Sequence, residues 1–152
     1  MRFCFVLWVL PALLPACGDK GAVSLSASIP EAEVRVTDNP FGAGLSGSFR
    51  LELALGGEAS GSTSVTTGNF ELQTEAGAAL VDLSHAATTT VFPVQVNKGE
   101  VKSVSFTLQE DSVDRTALCA GKVCIVGSVL DSLKGATEPV QSRLFTPDCG
   151  SI

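Results

Sequence analysis

From Val23 onward, apolar and polar residues alternate with the period of two expected of a strand that has one solvated face. Val23, Leu25, Ala27 and Ile29 are separated by Ser24, Ser26 and Ser28. Pro30 ends this run. Ala32, Val34 and Val36, set against Glu33, Arg35 and Thr37, predict a second strand, closed by the Asp38-Asn39-Pro40 turn signal. The clearest strand places Phe49, Leu51, Leu53 and Leu55 opposite in phase to Arg50, Glu52 and Ala54.

Residues 56–68 are rich in Gly, Ser and Thr and read as a loop with little to bury. Phe70 and Leu72 begin a further strand, Glu75-Ala76-Gly77 turns it, and residues 79–83 return. Past the polar residues 84–90, the stretches 91–96 and 101–108 flank Asn97-Lys98-Gly99-Glu100 and predict a β-hairpin. Residues 109–118 read as a charged connection. A last hairpin is expected to pair 124–130 with 140–146, Val129 lying opposite Leu144. Eight or nine strands and no amphipathic helix predict an all-β fold, a single immunoglobulin-like β-sandwich of about eight strands. The Phe70-Glu71-Leu72 strand, the turn at Gly77 and Lys98-Gly99-Glu100 before a Val/Phe strand resemble immunoglobulin-like domains of unassigned function in bacterial lipoproteins, over residues 48–108.

The N-terminus has a different design. Arg2 is followed by an uncharged, largely apolar stretch from Phe3 to Ala16, the layout of a secretory leader. It is shorter than the roughly 20 residues that span a bilayer, and Pro11 and Pro15 would interrupt a helix. Leu14-Pro15-Ala16-Cys17 resembles the lipobox of bacterial lipoprotein signal peptides, with Pro15 departing from the small or β-branched residue usual there. The resemblance implies loss of residues 1–16, a diacylglyceryl group on Cys17, a short tether over 17–21 and a domain over 22–152. The protein would sit in the bacterial cell envelope, lipid-anchored to a membrane with the domain outside the cytoplasm. Ordinary secretion with cleavage near Ala16 is the alternative.

Sixteen acidic against ten basic residues give a net charge of −6, which argues against nucleic acid as a partner because phosphate neutralisation needs clustered cations. Tyr is absent and the single Trp, Trp8, lies in the leader. Phe41, Phe49, Phe70, Phe92, Phe106 and Phe145 remain, mostly within alternating segments that belong to a core. Aromatic sugar platforms and Trp/Tyr interface anchors therefore lose ground.

Cys119, Cys124 and Cys149 allow one bridge in an exported domain. With Val129 opposite Leu144, Cys124 falls opposite Cys149, a closure contributing about 3.5 kcal/mol against about 2 for Cys119 with Cys124. Cys124–Cys149 is thus expected, with Cys119 as the alternative partner. Three cysteines and His85 lack the paired spacing of a zinc site. Gly42, Gly44 and Gly47 match a dinucleotide fingerprint in spacing only, since a proline turn precedes them and a strand follows, so they are expected to serve a loop needing positive φ. His85 beside Ser84, with Asp82, is the nearest approach to a hydrolytic set, but no G-x-S-x-G elbow exists; a solvated loop histidine is expected. Glu110, Asp111 and Asp114 are the densest acidic group and the calcium candidates, although the glycine and alternating acids of a calcium loop are missing. Glu31 and Glu33 share one strand face but flank no evident cleft.

These readings point to a non-catalytic, membrane-anchored envelope lipoprotein, free of cofactor, whose sandwich works by contact with another envelope protein or surface. The loop at 56–68 and an exposed sheet edge are the first places to look. A calcium or small-ligand module is the alternative, and a small hydrolase the remaining one.

Overall fold

A computed structural model describes residues 23–40 and 42–150. Nine strands follow in chain order: β1 (Leu25–Asn39), β2 (Gly42–Leu55), β3 (Thr63–Thr74), β4 (Ala79–Leu83), β5 (His85–Ala87), β6 (Val94–Val96), β7 (Val101–Val113), β8 (Val123–Asp131) and β9 (Ala136–Gln141). One helical turn, α1 (Arg115–Leu118), precedes β8. One sheet has the order β1-β2-β7-β5. The other has β4-β3-β8-β9, with β6 beside β3 at the end that β4 leaves open. Every strand pairing is antiparallel. This is the immunoglobulin arrangement, in which an A-B-E-D sheet faces a C′-C-F-G sheet.

The inner faces meet at an aromatic cluster. Phe49 of β2 stacks on Phe106 of β7 with ring centroids 4.7 Å apart, and Phe70 of β3 reaches Phe49 from the opposite sheet at 4.8 Å. Phe92 closes on Phe106 at 5.7 Å. Gly127 of β8, directly across from Phe70, exists for this ring: a Cβ there would lie 2.2 Å from Phe70 Cδ1. Because Phe49 and His85 hem the ring in on other sides, Gly127→Ala is expected to cost about 1–3 kcal/mol as overpacking. Urea unfolding of the two proteins would read this as a lower midpoint at unchanged slope.

Several elements depart from the sequence-based expectation, each for a packing reason. Pro30 does not divide two strands. It lies within one long β1, where the register against β2 slips by a residue between Ser28 and Glu31. A bulge on an edge strand tolerates the missing N–H. Residues 56–68 are only partly loop, because β3 begins at Thr63, where Thr63 and Val65 are buried. The segments 91–96 and 101–108 form no hairpin with each other. The turn at Asn97–Glu100 carries the chain between sheets, since β6 fills the vacant stretch of β3 while β7 takes its place between β2 and β5. Residues 85–87 form an edge strand, and the charged stretch after Leu108 continues β7. Gly42, Gly44 and Gly47 lie in β2 and not in a loop. Only Gly42 has positive φ, and a Cβ on Gly47 would sit 2.3 Å from the Glu33 carbonyl oxygen of β1.

The final hairpin also has another register. Val129 pairs with Glu138, not Leu144, and residues 132–135 close the turn with Gly135 at φ +61°. Buried Asp131 anchors it, its Oδ1 accepting from Leu133 N at 2.9 Å and from Thr63 Oγ1. The expected Cys124–Cys149 bridge is therefore overturned. Val126 pairs with Gln141, so Cys124 stays a buried free thiol that accepts from Gln141 Nε2 at 3.2 Å. Cys149 is carried to the end of α1 and bonds Cys119, with Cα atoms 6.1 Å apart.

Candidate functional site

None of the sets considered for catalysis or metal binding converges. Asp82 lies on β4 opposite Glu71. Ser84 uses its backbone N–H on the Glu110 carboxylate. His85 is not a solvated loop residue: its ring stands edge-on to Phe70 at 5.0 Å and to Phe106 at 5.5 Å, and Nδ1 lies 3.1 Å from the Leu83 carbonyl oxygen. No hydrogen bond links Ser84, His85 and Asp82. The calcium candidates make separate contacts as well. Glu110 holds Ser84, the Asp111 carbonyl accepts from Asn39 Nδ2, and Asp114 caps α1 by accepting from Ala117 N at 3.1 Å. Among the described residues no three His, Cys, Asp or Glu side chains are placed to hold a metal ion.

Glu31 and Glu33 do share one face, and they border a cleft after all. The β1 bulge is the reason. After β9 the chain meets β1 in parallel at Ile29/Ser142 and again at Arg35/Asp148, but between these points it swings away so that Phe145 pairs with Val123 of β8. An open cleft of about 550 Å³ remains beside β1, lined by Pro30, Glu31, Ala32, Glu33, Arg143 and Phe145, with Ser48, Arg50 and Ser105 extending it over the outer sheet face. That size is in the range of small-ligand sites.

The charges along it differ in state. Glu31 accepts from Arg50 at 2.8 Å and Glu33 from the Ser48 hydroxyl at 3.0 Å. Arg50 also lies 3.6 Å from Glu52, while its Nε is buried without a partner. Beyond the cleft, farther along β1, Asp148 pairs with Arg35 at 2.8 Å, and the Gly150 N–H, then Arg35, hold its carboxyl below the usual range. Arg143 is exposed, and no carboxylate among the described residues pairs with it.

Sequence reasoning missed Ala32, Arg50 and Arg143. A signal for the cleft existed: the inward positions change parity from Leu25, Ala27, Ile29 to Ala32, Val34, Val36, which marks a bulge within one strand.

No family model and no curated protein matches the chain. Among solved structures, the chain is similar to one described as the X-ray structure of Northeast Structural Genomics Consortium target SoR45. The two are 10% identical over 85% of this chain and 89% of that one, with a TM-score of 0.47.

Proposed function

We propose that this is a lipid-anchored protein of the bacterial cell envelope, with a non-catalytic sandwich that works by contact at a membrane surface. The observation that carries the reading is Leu14-Pro15-Ala16-Cys17 at the end of an apolar leader. Acylation at Cys17 would remove its thiol and tether the domain, since each buried methylene contributes about 0.8 kcal/mol and two or more chains anchor stably. The residues from Cys17 to Leu25 reach at most about 28 Å when extended. The domain therefore works within about one domain's width of the lipid. The Cys119–Cys149 bridge suits an oxidising compartment outside the cytoplasm. Among the described residues no three His, Cys, Asp or Glu side chains are placed to hold a metal ion, and the acidic balance disfavours nucleic acid.

Fatty-acid labelling and intact mass of the natural product test this. The expected product begins at Cys17, carries acyl chains and sediments with membranes, whereas Cys17→Ser incorporates no label and loses the membrane association. A product that retains residues 1–16, or appears without lipid in the culture fluid, overturns the reading.

A further inference from the structure

We propose that the cleft beside β1 takes a short extended peptide of a partner protein, which adds as a strand to the free stretch of the β1 edge and presents an acidic side chain to Arg143. This deepens the contact reading and rests on it.

The backbone of β1 supplies the first half of the argument. Asp148 N donates to the Val34 carbonyl and Val36 N donates to the Asp148 carbonyl, both at 2.8 Å, so the even-numbered residues here face away from β2. By the alternation of an antiparallel ladder, the N–H and C=O of Ala32 point the same way. They open into the cleft, where residues 143–147 have left the edge to reach β8. Among the described residues no backbone group outside β2 bonds Ala32. An unpaired edge of this kind is a template for strand addition. The stretch from Ile29 to Arg35 spans about 20 Å at 3.3 Å per residue, enough for three or four residues of a guest between the two crossings.

Side chains supply the second half. Glu31, Glu33 and Arg35 already have partners on this side of the sheet. Arg143 does not, and it lines the same cleft as Ala32. A carboxylate on the guest would complete it, while a basic side chain placed there would meet the like charge of the Arg143 guanidinium. Phe145 and Pro30 offer the apolar wall that shields the new backbone bonds.

The test uses the full mature protein and a library of linear heptapeptides, followed by titration of the selected peptides. Selected sequences are expected to be β-prone and acidic, to lose binding when their acid becomes lysine, and to slow amide exchange at Ala32. Ala32→Pro removes the cleft-facing N–H, and Arg143→Glu reverses the free charge. Each is expected to weaken binding more than tenfold while thermal melting stays close to that of the parent. Should Ala32→Pro fail to fold, Arg143→Glu and the exchange measurement on the unaltered protein still decide. Selection of no peptide, binding indifferent to both substitutions, or protection at another edge overturns the proposal. Photo-crosslinking in membranes from residue 143 and from residue 98 separates the two failures. A specific partner captured only from residue 98 leaves the contact reading intact and removes the cleft, whereas none from either site, with no peptide selected, removes both.

Discussion

Replacing Phe106 with alanine is expected to lower the stability of the domain by about 3–5 kcal/mol, the usual range for deleting a buried phenyl ring. Phe106 is 1% exposed, and among the described residues no other ring touches as many partners. It stacks on Phe49 within its own sheet, meets Phe70 of the facing sheet at 5.9 Å, and carries Phe92 and His85 on its flanks. The hole cannot be refilled from one side, because β2, β3 and β5 each contribute a ring already fixed by its own ladder. Against a total stability of about 5–15 kcal/mol for a domain of this kind, that loss is a large share of what keeps the variant folded. Urea unfolding followed by circular dichroism measures the loss. A decrease below 1 kcal/mol would mean that the sheets do not meet through this ring.

Removing the disulfide is expected to cost a similar amount. The residues it joins are 30 apart in sequence, and closing a loop of that length constrains the unfolded chain by about 3.6 kcal/mol at 25 °C in the chain-entropy account. Within the fold the bridge fastens the C-terminal segment to α1, after that segment has run beside β1 and bonded Val34 and Val36. Cys119→Ser, Cys149→Ser and the double variant should therefore melt alike and well below the parent. Cys124→Ser should keep the bridge and lose far less, since it removes only a thiol bonded by Gln141. Peptide mapping without reductant supplies the covalent check: a Cys119–Cys149 linked pair and an alkylatable Cys124. Recovery of Cys124 in the linked pair would disprove the observed register of the last hairpin.

Both predictions rest on features that were unequally legible. The core was the easier part. Phe49, Phe70 and Phe106 occupy in-phase positions of strongly alternating runs, so their burial followed from period alone. The cysteine pairing was not legible, because the loop between β8 and β9 has no Asn-Gly or similar dipeptide to set its length. Val129 opposite Leu144 and Val129 opposite Glu138 are registers six positions apart, and buried Asp131, held by Thr63 from β3, anchors the turn of the second. The cleft fell between these cases. Glu31 and Glu33 were visible as a pair on one face, yet the gap they border arises where two distant segments part company, Arg143 lying more than a hundred residues from Ala32.

By itself, the amino-acid sequence determined that this chain is a two-layered β structure, because a period of two with inward aliphatic and phenylalanine residues can bury its apolar face only against another sheet. It also carried the Leu14-Pro15-Ala16-Cys17 motif on which the proposed lipid anchor rests, which is read residue by residue and needs no fold. Tertiary structure alone decided which strands are neighbours, which cysteines meet and where the edge of β1 lies open. Those outcomes depend on the competition among strands for the same ladder positions. Backbone N–H and C=O groups are identical in every strand, so their partners are chosen by the packing of the whole core and not by the residues that bear them.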